Sequence, residues 1–273
     1  MGHTSDQNAF VRYEQEGRIV TLTLNRPDSR NAIATHADCD DIANAFERAN
    51  ADATVSCIIF TGSGSAFSAG GNIKAMKERS GIGPLDAPDA TRANYKRGVQ
   101  RISRALWECE VPAIAAINGH AIGLGLDLAC LCDMRIAAEG AKFASSFIKL
   151  GIVPGDGGAW ILPRVVGLTR AAELIFTGNT IDIDVALAYG LISRAVPRTQ
   201  LLTEAGALAQ RIVGNPAKSL RLAKRLLREG QQQRLSDVLE LSAAFQALAH
   251  ETVDHAEAVD AFLEKREPQF KGR

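Results

Sequence analysis

The chain is poor in the residues that bind metals or cross-link a fold. Its five histidines are scattered over 273 residues with no HExxH pair, which argues against a metal centre. The cysteines, Cys39, Cys57, Cys109, Cys130 and Cys132, are odd in number, lie mostly in apolar runs and form no CxxC pair. That usage predicts a reducing compartment and buried thiols that serve as packing residues. Neither sign of charge is in excess, since Lys plus Arg and Asp plus Glu both number 31, so no global field draws the chain to nucleic acid or membrane. No window reaches the ~18 uninterrupted apolar residues of a spanning helix. The stretch from Met1 to Asn8 lacks the basic flank and apolar run of a signal peptide, and the expectation is a cytoplasmic enzyme. Met1-Gly2 opens an N-myristoylation pattern, but His3 and the lack of a nearby basic patch speak against an anchor. No GxxxxGK[ST] occurs, and Gly62-x-Gly64 runs on to Phe67 where a dinucleotide site needs glycine.

What is present is an ordinary globular composition, 46% hydrophobic and 23% charged, long enough to bury a large core. Residues 17–25 alternate and are rich in β-branched types, which predicts a strand ending at the 26–31 loop. Thr35 is placed to cap a helix running to about Asn50, acidic rather than lysine-rich and so a poor RNA surface. Strands are predicted at 56–61 and 112–117, the second an unbroken apolar run suited to burial on both faces. Residues 81–89 read as a mobile loop, followed by a helix from about Thr91 to Glu108. Another helix is expected at 127–132, short strands at 134–138 and 141–144, and a tight turn at 151–158. This alternation predicts an α/β core over 1–197. From 198 to 273 only helices are expected, at roughly 199–213, 216–229, 233–248 and 252–265, with apolar stripes that suit oligomerisation and coverage of a site.

Two glycine turns stand out, residues 63–73 and 118–127. Each follows a strand-like run and precedes an amphipathic stretch, so each exposes free backbone N–H groups at the start of a helix, where negative charge is favoured. Brought together, one N–H from each would hold the oxygen of a thioester carbonyl as it becomes an enolate.

At these residues the chain resembles the crotonase superfamily, the enoyl-CoA hydratases and isomerases. The resemblance runs from about Val11 to Phe270 and rests on Leu24-Asn25-Arg26-Pro27 with Asn31-Ala32, the 66–74 segment, Pro112 to Gly119, Gly151-Ile152-Val153-Pro154, and Ala261 to Arg266. It implies a spiral of repeated ββα units with a C-terminal helical trimerisation region, assembled as a trimer or a dimer of trimers. It implies an oxyanion hole from the backbone N–H groups of Gly71 and Leu124. It also implies a coenzyme A moiety, part of the substrate rather than a bound cofactor, lying across Arg26, Ser29, Arg30 and Ala32 and across Ala69, Asn72 and Ile73. Main-chain groups would read the adenine, with Phe262 and Lys265 near the nucleotide, contributed by a neighbouring subunit. Fatty-acid or aromatic and branched acyl-CoA breakdown is the implied setting.

Departures from the family pattern carry as much weight. Family hydratases place glutamates at the positions matching Asp127 and Phe147; here the first is a shorter carboxylate and the second a phenyl ring that reads as a pocket wall. A different carboxylate, Asp156, stands in the Pro154-Gly155-Asp156-Gly157-Gly158 turn, where an Asx turn is the plain alternative. Residues 147–151 and 160–164 are similar to the ring-1,2-epoxyphenylacetyl-CoA isomerase branch, which also has Phe at this place and its aspartate one position earlier. Asp127 is open between proton transfer and compensation of a helix dipole. Asn72 replaces the usual aspartate and should affect only local turn bonding. His120 is expected to be packed or backbone-bonded, and Ser68 in Ala66-Phe67-Ser68-Ala69-Gly70 is a weak imitation of a nucleophile elbow. Two functions follow: an enoyl-CoA hydratase or isomerase, or a catalytically degenerate member that binds acyl-CoA or a protein partner.

Overall fold

A computed structural model describes residues 9–272; the Met1-Gly2-His3 acylation pattern lies outside them. Strands β1 (Val11–Glu16), β2 (Ile19–Leu24), β3 (Cys57–Gly62), β5 (Ala113–Ile117), β7 (Met134–Ala138) and β9 (Arg194–Val196) form a six-stranded sheet in that order. Only the β1–β2 pair is antiparallel. A second, parallel sheet contains three short strands, β4 (Ala66–Ser68), β6 (His120–Ile122) and β8 (Phe143–Ala144). β3, β5 and β7 are each followed by a short strand in the other sheet and then by helix, the ββα recurrence that the family resemblance implies. The edge strand β1 is an addition to the sequence reading.

Alternation along the strands explains why the middle of the large sheet reads as unbroken apolar sequence. Ile58, Phe60, Ala113, Ala115 and Ile117 join the main core, while Cys57, Ile59, Ile114 and Ala116 join a second one on the opposite face. That second face is closed by Leu201, Ala205 and Ala209 of α9 (Leu201–Val213), so the all-helical segment begins with a helix packed on the sheet. The main core takes Ile42, Phe46 and Ala49 of α1 (His36–Ala51), which Thr35 opens with a reciprocal capping box to Asp38.

The helix expected over Thr91–Glu108 is two helices, α3 (Pro88–Arg97) and α4 (Val99–Glu108), broken at Gly98. A Cβ at Gly98 would crowd the Asn94 carbonyl, Ile82 and His36, so the bend packs where no side chain fits. The preceding loop is pinned rather than free: Ile82 is buried, and Asn94 donates to the carbonyls of Gly81 and Gly83. All five cysteines are free and buried, and burial pushes the Cys39, Cys57, Cys130 and Cys132 thiols up to about 12. No helix among the described residues is long and apolar enough to cross a membrane.

Candidate active site

The small sheet is what brings the two glycine turns together. β4 and β6 are parallel neighbours, with Ala66 beside His120 and Ser68 beside Ala121, so they finish at the same edge and release their turns side by side. The approach is at backbone distance. A Cβ on Gly70, whose φ is +82°, would lie 2.5 Å from the Ile122 carbonyl oxygen and 3.2 Å from the Leu124 amide nitrogen. One on Gly125 would lie 2.4 Å from the Ser68 carbonyl oxygen. Glycine is required at both places because each chain fills the space a side chain would need.

Two buried asparagines set the first turn. Asn31, itself left-handed at φ 55°, donates to the carbonyls of Ser63, Ala66 and Phe67 and accepts from the Arg26 amide. Asn118 accepts from the Gly62 amide and donates to Gly64 and Ala66. Ile33 donates to the Gly70 carbonyl and accepts from the Asn72 amide, both at 2.9 Å. This bridge uses the groups flanking Gly71 and turns Gly71's own amide away from Ile33. Leu124 is the first residue of α5 (Leu124–Leu131), behind Gly123 at φ 53°, ψ −122°, and a first-turn amide has no acceptor within its helix.

Every residue of α5 is buried, Asp127 included at 0% exposure. Neither of its carboxyl oxygens receives a hydrogen bond from another donor in the described chain; its polar neighbour is the carboxyl of Asp156, from the turn before α6 (Gly158–Val166). Burial first, then the charge of Asp156 and a hydrogen bond to it, raise the Asp127 pKa well above the usual carboxylate range. Asp156 is raised too, by burial, but the bond from Asp127 and the backbone N–H groups of Asp156 and Gly158 oppose that shift. A hydrogen bond between two carboxyls requires a proton, so the pair shares one and titrates as a unit.

The remaining predicted residues fall into three groups. Phe147, in the short 3-10 helix Ser146–Leu150, has its ring tip 3.6 Å from where a Cβ on Gly123 would stand, so it faces the second turn as a wall. Arg26, Ser29, Arg30 and Ala32 are zipped to Ala69, Asn72 and Ile73 by the Ala69→Arg30 and Ile33 bonds, giving one continuous surface beside Gly71. Within it Arg26 is engaged structurally, 2.5 Å from buried Asp38 and stacked over Phe10, while Asn72 caps Lys74 and Ala75. Phe262 and Lys265 lie apart on α12 (Val253–Glu264) and its C-cap, Phe262 with 84% of its surface exposed. His120 is exposed rather than packed, and Ser68 is buried and bonded to the Asn31 carbonyl and Gly70 amide, a turn-former without a histidine partner. Among the described residues no three His, Cys, Asp or Glu side chains gather as a metal site.

One cavity is lined by Asp156, and a second lies against the turn that precedes it. The first, of about 400 Å³, is bounded by Asp156, Ser103, Leu131 and the edge-to-face pair Trp107–Trp160, whose centroids are 4.6 Å apart. The other, about 620 Å³, lies between α3 and the 151–155 turn.

The chain is similar to known proteins over nearly its whole length. The family model described as enoyl-CoA hydratase/isomerase matches residues 14–273. The chain is 36% identical to the 1,2-epoxyphenylacetyl-CoA isomerase of Escherichia coli K12, covering 97% of this chain and 99% of that protein. It is also 36% identical to the crotonyl-CoA hydratase of Syntrophomonas wolfei, over 94% of this chain and 96% of that one. Among solved structures, the enoyl-CoA hydratase of Bacillus anthracis superposes with a TM-score of 0.89 at 32% identity, covering 97% of this chain and 100% of that one.

Proposed function

Because this chain belongs to the enoyl-CoA hydratase/isomerase family, an enzyme family of lyases and isomerases, we propose that it moves a double bond within an enoyl-CoA through an enolate held by the Gly71 and Leu124 amides. The observation that carries this reading is the buried Asp127–Asp156 pair next to the paired turns, with Asp156 at the edge of a cavity. Polarising the thioester carbonyl acidifies the acyl chain, and two amide donors aimed at developing charge contribute about 3 kcal/mol each. One carboxyl of the pair takes a proton from one carbon, and the pair returns one to another. Hydration needs a water held between two acid–base groups. Here the carboxyls meet each other directly and Phe147 stands at the position of the second family glutamate, which favours isomerisation over water addition.

Coenzyme A, as part of the substrate, would lie along the surface that runs from Arg26 to Ile73, with Ser29, Arg30, Ala32, Ala69 and Asn72 against it. Phe262 and Lys265 would reach the nucleotide from a second subunit in a trimer or dimer of trimers, which gives the exposed apolar residues Leu235, Leu239, Phe262 and Leu263 a covering. The test is turnover of matched 2-enoyl- and 3-enoyl-CoA substrates by the wild type, Asp127→Asn and Asp156→Asn. Interconversion of the two with little 3-hydroxyacyl product, lost at least a hundredfold in Asp156→Asn, is the expected result. Binding without turnover of any substrate would instead establish a degenerate acyl-CoA-binding protein.

A further inference from the structure

We propose that the 620 Å³ cavity between α3 and the 151–155 turn receives a carboxylate at the far end of the acyl chain, making ω-carboxyacyl thioesters the preferred substrates. This rests on the acyl-CoA reading above and adds to it a second, anionic recognition point.

Its lining is apolar at one end and cationic at the other. Tyr95, Ile152 and Val153 offer a stem-binding surface, Gln100 bridges to the turn, and Arg92 and Lys96 supply the only charged side chains of the lining. No acid faces them. Neither cation makes a side-chain hydrogen bond or ion pair among the described residues. Neighbouring arginines are occupied: Arg79 pairs with Asp86, Arg101 with Asp40 and Glu47, and Arg104 donates to the Lys96 carbonyl. Arg92 and Lys96 are also four residues apart on one helix face, where like charges repel, and a bound anion would relieve that repulsion. A carboxylate suits the planar fork of arginine better than any neutral group does.

The cavity borders the turn that leads into Asp156. Gln100 donates to the Gly155 carbonyl at 2.9 Å, Ser103 donates to the Asp156 carbonyl, and a Cβ on Gly155 would touch the Tyr95 ring at 3.0 Å. An acyl chain extending past Asp156 therefore meets Tyr95 next and the two cations beyond it. The helix that carries the two exposed cations is anchored by Asn94, which is buried and bonded to His36, Gly81 and Gly83.

The experiment compares saturated acyl-CoA and ω-carboxyacyl-CoA of equal chain length by calorimetry, with free CoA as a third ligand, on the wild type and Arg92→Gln/Lys96→Gln. Turnover of the corresponding enoyl thioesters runs alongside. The wild type should bind the ω-carboxyacyl form about tenfold more tightly, as two exposed ion pairs together allow, and the double variant should lose that preference while binding the methyl-ended thioester as before. Equal binding of both thioesters by the wild type overturns the inference and leaves the acyl-CoA reading intact. Loss of free CoA affinity in the double variant overturns it as well, by assigning the cations to the CoA phosphates. Failure of all three ligands to bind the wild type removes the acyl-CoA reading itself and this inference with it.

Discussion

Gly158 lies against the carboxyl of Asp127 so closely that a Cβ there would stand 2.1 Å from Oδ2 and 2.5 Å from Cγ. It is the first residue of α6, where alanine normally stabilises a helix by up to about 1 kcal/mol over glycine. Here the sign should reverse. Gly158→Ala must displace a buried carboxyl from its partner, at a cost of about 1–3 kcal/mol for overpacking, so thermal unfolding should show a Tm lower than wild type and turnover of enoyl-CoA should fall with it. A Tm equal to or above wild type would mean that the Asp127 side chain has room to move.

The raised Asp127 pKa makes stability depend on pH in a defined direction. A carboxyl whose folded pKa exceeds its unfolded value binds more protons when folded, so its contribution is complete below the unfolded value near 3.8 and is lost as pH rises through the folded value. Asp127→Asn keeps the shape and a donor toward Asp156 but carries no titrating proton. Its Tm should match wild type near the unfolded pKa and exceed it increasingly toward neutral pH. A constant offset at every pH would place the Asp127 pKa near its ordinary value and dissolve the shared-proton pair.

The Leu124 amide can be removed without breaking α5. Proline is accommodated at the first helical position, where the N–H has no intrahelical acceptor, so Leu124→Pro deletes the donor and keeps the helix bonds. Leu124→Ala keeps the donor and loses the same buried side chain, since Leu124 is 3% exposed. Both variants should be destabilised to a similar extent. Only the proline variant should lose about 10²–10³ in kcat, the effect of removing one oxyanion donor. If the alanine variant is equally slow, the amide has no special part in turnover.

Local rules made much of this site legible. The turns announced themselves through glycines placed just after apolar strands, and the Thr35 cap lies at the residue the sequence assigned. The bend at Gly98 was hidden because the apolar spacing continues smoothly across it, and only packing against Asn94 and Ile82 forces the break. The contact between Asp127 and Asp156 was equally invisible, since it joins positions 29 apart through the docking of α6 on α5. Asn31 and Asn118 stood out only as members of the motifs that carry the family resemblance, and their buried bonds to the first turn appear only in the fold. Gly158 had no signal beyond its neighbour Gly157; its need for a bare Cα exists only once Asp127 is opposite.

The C-terminal helices are tied to the core by charge, and this gives a test of how far the site depends on them. Lys224 of α10 (Ala217–Glu229) is 5% exposed, donates to the Val111 carbonyl and pairs with Asp133, each at 2.6 Å. Asp133 also accepts from the Ala113 amide at the start of β5, and Arg228 lies 3.6 Å away while donating to the Cys109 carbonyl. Asp133→Asn leaves the buried ammonium without its counter-charge and should lower the unfolding free energy by about 3 kcal/mol. Lys224→Met removes the buried charge, lets Arg228 keep Asp133 company and fills the space with apolar atoms, so its loss should be clearly smaller. Denaturant unfolding of the two variants decides the order. A larger loss in Lys224→Met would show that the lysine's bond to Val111, not the ion pair, holds α10 on the sheet.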